Sequence, residues 1–107
     1  MNIRDEKFAS LLIQFAAAYI AREAGRDTLI TPTRADLARD HKNATIYVSV
    51  FPDSQRTHAV AFLNRHKDLF RDYLKKEARF NMLPRVTFEF DSGEEHRQHL
   101  DEISKGI

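Results

Sequence analysis

The segment from Asn43 to Phe51 constrains the fold more than any other part of the 107-residue sequence. Apolar residues alternate with polar or aromatic ones along it, so that one face carries Ala44, Ile46, Val48 and Val50. Strict alternation and a high content of β-branched and aromatic residues are typical of a strand with one buried face. We therefore expect this segment to be a strand of a sheet that is covered on one side.

The rest of the sequence divides between helical and strand periodicities. Apolar residues recur at spacings of three and four over residues 5–24 and 57–79, which predicts two amphipathic helices. Residues 28–37 and 83–91 alternate instead, which predicts two further strands. In the first of these strands, unbroken alternation would place five residues on one face: Leu29, Thr31, Thr33, Ala35 and Leu37.

The connections limit how the three strands can pair. The polar turn at residues 38–42 is short, so the first two strands must be antiparallel. Pro32 has no N–H to donate, which favours an edge position for the first strand. The long helix can return the chain so that the third strand pairs in parallel with the second. The predicted fold is α+β, in the order α-β-β-α-β, with a mixed three-stranded sheet covered on one face by helices.

The second helix carries polar residues on its apolar side. On a helical wheel, His66 and Lys67 fall in the same arc as Phe70, where an unpaired imidazole or ammonium would be costly. A break within residues 64–68, with Asp68 as the cap of the second half, would remove both from the core. The alternative is a continuous helix from which Lys67 extends to solvent. We favour the break, and hence a kinked helix.

Composition and motifs exclude several classes of function. The chain has no cysteine, which rules out disulfide scaffolds, thiolate zinc sites, iron–sulfur clusters and cysteine nucleophiles. No apolar run reaches the roughly 18 residues of a membrane span, and no signal peptide is recognisable, so we expect a soluble cytoplasmic protein. The spacing of His96 and His99 does not match the zinc-protease pattern. We therefore predict neither an enzyme nor a metal site.

Charge is distributed unevenly, although the net charge is only +1. Residues 56–85 hold eight basic and three acidic residues, whereas residues 86–107 hold two basic and six acidic ones. Lysine and arginine on a rigid helix can neutralise phosphates without reading sequence. The predicted RNA-binding residues are Arg65, Lys67, Arg71, Lys75, Lys76, Arg79 and Arg85. Three basic residues near the first hairpin would extend this surface: Arg34, Arg39 and Lys42.

A plain solvated helix face is the alternative to an RNA-binding surface. Asp68 could pair with Arg71, and Asp72 with Lys76, at ordinary helical spacings. Exposed pairs of this kind contribute only a few tenths of a kcal/mol. In that case the basic residues would have no partner beyond their neighbours on the helix.

Three stretches of the sequence resemble the bacterial ribosome-binding factor A family. They are residues 29–31 (LIT) with 36–40 (DLARD), residues 44–50 (ATIYVSV) and residues 79–91 (RFNMLPRVTFEFD). The resemblance runs from about Phe8 to Asp91. It implies a KH-like fold of type II, α-β-β-α-α-β, as one domain over residues 1–91, followed by a short acidic tail over 92–107. The Gly-x-x-Gly loop of KH domains that bind single strands is absent, and His66-Lys67-Asp68 stands where the family has a small residue and a glycine.

The resemblance also implies a function. It implies binding to the small ribosomal subunit and its rRNA during late maturation, by phosphate and shape contacts, without catalysis or cofactor. An assembly GTPase is a further candidate partner, a monomer is expected, and no membrane partner is expected. The alternative is a protein-interaction module that uses the exposed sheet face and the acidic tail.

Overall fold

The computed structural model describes residues 3–78, 80 and 82–93, and its elements follow the predicted order. The tail from residue 94 onward lies outside the described residues. It includes His96 and His99, which were predicted not to form a metal site. A single 3-10 turn at Asp53–Gln55 precedes the second helical region. The helices and strands are α1 (Ile3–Glu23), β1 (Leu29–Leu37), β2 (Asn43–Phe51), α2 (Arg56–Arg65), α3 (Lys67–Ala78) and β3 (Arg85–Phe90).

The sheet has the predicted pairing. Its strand order is β1-β2-β3, with β1 antiparallel and β3 parallel to the central strand β2. Ile46 of β2 lies beside Phe88 of β3, and both side chains are almost fully buried. The face predicted for β2 is the buried one, since Ala44, Val48 and Val50 are buried as well. The helices therefore cover one face of a mixed three-stranded sheet, as expected.

Strand β1 does not keep the unbroken alternation that was predicted for it. The register against β2 shifts between Pro32 and Arg34, so Thr33 is an extra residue in a β-bulge. An extra residue moves everything beyond it to the opposite face. Ile30 therefore packs toward the helices before the bulge, as Ala35 and Leu37 do after it. Leu29 was predicted to share a face with Ala35, and this is wrong, because Leu29 is 65% exposed whereas Ala35 is buried.

Phe70 of α3 lies at the centre of the core. Its side chain is fully buried, and its ring centroid is 5.4 Å from that of Tyr19 on α1 and 5.6 Å from that of Phe88 on β3. Both contacts have the edge-to-face geometry that aromatic pairs prefer. The Phe70 side chain thus connects α1 and α3 to the sheet.

The predicted helix break is confirmed, and it falls at His66. The Nδ1 atom of His66 lies 3.2 Å from the Tyr19 hydroxyl oxygen, so the imidazole is satisfied by a contact with α1. Burial raises the pKa of the Tyr19 hydroxyl above its ordinary value. The continuous-helix alternative is wrong, because α2 ends at Arg65 and α3 begins at Lys67. Asp68 lies within the first turn of α3 and does not precede it, so its predicted capping position is also wrong.

Asn64 near the end of α2 is hydrogen-bonded to the backbone of β3. Its Nδ2 atom donates to the Phe88 carbonyl oxygen, and the Phe88 N–H donates to its Oδ1 atom, both at 2.9 Å. The N–H groups of Arg85 and Asp91 donate toward the β2 side, to the carbonyl oxygens of Lys42 and Val48. Phe88 lies at an odd separation from both, so its backbone groups point to the outer edge of the sheet. The side-chain amide therefore takes the place of a neighbouring strand at this residue.

Replacing Asn64 by alanine is expected to lower the free energy of unfolding by about 2 kcal/mol, because it leaves a buried N–H and a buried carbonyl without partners. Urea denaturation followed by circular dichroism would measure the change. Gln14→Ala, an amide truncation at an exposed position of α1, is the control and should change stability by less than about 0.5 kcal/mol. Equal effects of the two substitutions would contradict a specific role for the Asn64 amide.

Candidate nucleic-acid interface

The pairing of β2 with β3 brings two separated basic residues together. Asn43 is the register partner of Arg85, and the Arg85 N–H donates to the Lys42 carbonyl oxygen at 2.8 Å. The end of the β1–β2 turn therefore lies directly beside the start of β3. Arg71 of α3 reaches the same region, where its Nη2 atom donates to the Leu83 carbonyl oxygen over 3.4 Å.

Three adjoining clefts share the Arg71 side chain. The first, of about 320 Å³, is also lined by Lys42 and Arg85. The second, of about 270 Å³, is lined by Lys67 and Arg85, and the third, of about 310 Å³, by Lys75. We call the surface formed by these five basic residues the Arg71 cleft. It draws its charge from a turn, a helix and a strand.

The charges of the Arg71 cleft are not neutralised from within the described part of the chain. None of its five basic side chains forms an ion pair with another residue that the structure describes. The pairs Asp68–Arg71 and Asp72–Lys76, which a plain solvated face would contain, do not form, although Asp68 lines one of the clefts. The arrangement is therefore a concentrated positive surface that is open to an anionic partner.

The Arg71 guanidinium is the best-positioned group of the cleft. Its Nε atom is enclosed and has no hydrogen-bond partner among the described residues. A half-buried cation with a single long hydrogen bond is under-satisfied, because burial weakens its solvation. A guanidinium fork matches phosphate oxygens, so the Nη atoms of Arg71 are the candidates to contact a phosphate in the cleft.

Not all of the predicted RNA-binding residues come together. The structure groups Lys67, Arg71, Lys75 and Arg85, whereas Arg65 lines a separate cavity at the end of α1. Lys76 is exposed on α3 and lines none of these clefts, and Arg79 lies outside the described residues.

Two residues that line the cleft could not be placed there from the sequence. Lys42 was considered only as an extension of the basic surface, and the parallel register of β2 with β3 makes it a central member. Met82 was not considered, yet it is 74% exposed on the rim beside Arg71. No local pattern signals either residue, because both positions depend on pairing between distant segments.

The open face of the sheet has a different character. The Arg34 guanidinium lies over the Tyr47 ring, 3.9 Å from its centroid, and also pairs with Asp36 at 2.9 Å. One face of the Tyr47 ring is therefore covered and unavailable for stacking on a base. Leu29 and Phe51 face each other across β1 and β2 and are both largely exposed. This face carries a mixed set of charges and a small apolar patch.

Neither a metal-binding cluster nor a membrane-spanning helix occurs in the described part of the chain. No group of three or more histidine, aspartate or glutamate residues there is arranged to hold a metal ion. Among those same residues, no helix has both the length and the apolar character needed to cross a membrane.

The sequence matches known proteins over nearly its whole length. The family model for ribosome-binding factor A matches residues 4–104. A ribosome-binding factor A from Desulfitobacterium hafniense is 30% identical over 107 residues, which is 97% of this chain and 86% of the relative. One from Chlorobaculum parvum is 31% identical over 111 residues, covering 100% of this chain and 92% of the relative.

Solved structures share the fold. The crystal structure of ribosome-binding factor A from Thermus thermophilus superposes with a TM-score of 0.66 at 23% identity, over 75% of this chain and 88% of that one. The solution structure of a Thermotoga maritima protein described as a ribosome-binding factor A gives 0.62 at 28% identity, over 77% and 81%. A Thermus thermophilus homology model fitted into a cryo-EM map of a complex with the 30S subunit gives 0.67 at 22% identity, over 78% and 91%. The shared architecture is the KH-like fold, with the α-β-β-α-α-β order described above.

Proposed function

The chain belongs to the ribosome-binding factor A family, and from this we propose that it binds the small ribosomal subunit and its rRNA during late maturation of that subunit. The observation that carries the proposal is the Arg71 cleft, in which five basic side chains from three elements converge without an ion pair to any other residue that the structure describes. Phosphates provide most of the affinity in nucleic-acid binding, and basic residues on rigid elements suit them. The 30S complex of the Thermus thermophilus protein supports the choice of subunit.

The proposed mechanism is binding without a chemical step. Phosphate contacts fix the position and orientation of a protein but do not read base sequence. A folded rRNA region offers a particular arrangement of phosphates, so a rigid cleft can recognise it by shape. The protein would dock on this arrangement in an immature subunit, hold it, and leave once the mature rRNA fold no longer presents it. We also propose that the protein acts as a monomer in the cytoplasm.

A protein contact at the open sheet face is the second candidate function. The exposed pair Leu29 and Phe51 favours it, because apolar side chains that face each other across two strands form a continuous patch. An assembly GTPase is a candidate for this contact. Such a contact would depend little on salt, unlike phosphate binding.

Co-sedimentation with purified small subunits, mature and immature, over a series of salt concentrations tests the proposal. We expect the logarithm of the association constant to fall linearly with the logarithm of the salt concentration, with a slope of about −0.7 to −0.9 for each phosphate contact. Immature subunits should bind more tightly than mature ones. Binding that does not change with salt would contradict phosphate docking and favour the sheet face. Failure of a folded sample to bind either particle would overturn the assignment to the ribosome.

A further inference from the structure

A second cavity lies on the α2 side of the helix break, away from the Arg71 cleft. Its volume is about 360 Å³, which is within the usual range for ligand pockets of roughly 300–1,000 Å³. Apolar side chains from two elements line it, namely Ile30 of β1 and Ala59 and Phe62 of α2. Polar side chains stand around them, among them Asp27, which follows α1.

Helical spacing explains how α2 contributes several side chains to this cavity. His58, Phe62 and Arg65 are four and three residues apart, so they share one face of α2. This face turns toward the segment that joins α1 to β1. His66 packs against the Phe62 ring with 4.3 Å between centroids, so the ring is held by the residue at the helix break.

The polar side chains around the cavity are not engaged with one another. Asp27, His58 and Arg65 form no hydrogen bond or ion pair with another residue that the structure describes. The Asp27 carboxylate, which is a hydrogen-bond acceptor, the Phe62 ring and the Arg65 cation therefore line a single concave site. Ligand pockets typically combine an apolar lining with a few placed polar groups in this way.

We propose that this cavity binds one unpaired guanine nucleotide of RNA, an inference that rests on the proposed function. The base would lie against Phe62, the Asp27 carboxylate would accept hydrogen bonds from its Watson–Crick edge, and Arg65 would contact its phosphate. Single-stranded RNA is recognised through bases that stack on aromatic rings and form hydrogen bonds along this edge. A carboxylate is an acceptor only, and guanine presents two adjacent N–H donors there, which makes guanine the matching base.

Three single-stranded RNA pentamers test the base assignment: UUGUU, UUAUU and UUUUU. We expect UUGUU to shift the backbone amide resonances of Gly25 and Thr28, which line the cavity, and to bind about tenfold more tightly than the other two. Asp27→Asn should remove most of this preference. Arg65→Gln should weaken binding of all three pentamers alike, because a phosphate contact carries no base information.

Each of the two cavity substitutions has a control substitution elsewhere on the surface. Asp72→Asn and Arg39→Gln make the same side-chain changes at exposed positions outside the cavity and should leave the preference intact. Equal affinity for the three pentamers, an unchanged preference in Asp27→Asn, or the absence of shifts at Gly25 and Thr28 would each overturn it. Co-sedimentation of the wild type with small subunits separates this failure from failure of the proposed function. Subunit binding without guanine preference would leave the proposed function standing and dismiss the base site.

Discussion

Replacing Arg71, Lys75 and Arg85 by glutamate in one variant is expected to reduce affinity for small subunits by roughly a hundredfold or more. Each charge reversal replaces attraction to phosphate by like-charge repulsion. The three side chains belong to the Arg71 cleft and come from both α3 and β3. Co-sedimentation at low and moderate salt would measure the loss. Circular dichroism and urea denaturation of the same variant check its fold, because Arg71→Glu also removes the hydrogen bond to the Leu83 carbonyl oxygen.

The control for this variant has the same change in net charge at exposed positions outside the cleft. Arg4, Lys7 and Lys76 provide these positions, and their replacement by glutamate should weaken binding only modestly through the general field of the protein. Equal losses in the two triple variants would contradict a localised phosphate site. Retention of binding by the cleft variant, together with insensitivity to salt, would move the contact to the open sheet face.

Truncation of Phe70 to alanine is expected to have the largest effect on stability, about 3–5 kcal/mol. Its side chain is fully buried and contacts rings on α1 and β3, so its removal leaves a cavity that these elements cannot easily fill. Small domains are stable by only about 5–15 kcal/mol, so the variant should be partly unfolded in mild denaturant. Urea denaturation of both proteins at one temperature would give the difference.

Phe51→Ala makes the same chemical change at a position that is 71% exposed. It should alter the free energy of unfolding by no more than about 0.5 kcal/mol, because little buried surface is lost. A loss below about 1 kcal/mol for Phe70→Ala would be inconsistent with a central position in the core.

Local periodicity was sufficient to predict most of the fold. The bounds of β2 at Asn43 and Phe51 were predicted correctly, because alternation begins and ends there. The break at His66 was also predictable, since a straight helix would have directed an imidazole and the Lys67 ammonium into the core. Both features are encoded in residues that are neighbours in the sequence.

Features that depend on distant pairing could not be predicted. The bulge at Thr33 interrupts an alternation that looks unbroken in the sequence. Its hydroxyl lies 2.6 Å from an oxygen of Asp91, a residue 58 positions away, and no local pattern indicates that contact. The prediction that Leu29 and Thr31 share a face with Ala35 and Leu37 was wrong for this reason.

The candidate site shows the same division. Lys67, Arg71 and Lys75 are spaced by four on one helix, so their common face follows from the sequence. Lys42 joins them only because β2 and β3 pair in parallel with a particular register. Arg65 leaves the group because the break at His66 separates α2 from α3, so the helical repeat does not continue across it.

The amide of Asn64 has a consequence for the behaviour of the protein at high concentration. An edge strand with unpaired backbone groups is a template for self-association, in which a second copy extends the sheet. At Phe88, in the outer edge of β3, the N–H and the carbonyl are already occupied by the Asn64 side chain. A second strand could pair there only by displacing α2, so the contact that fastens a helix to the sheet also opposes aggregation.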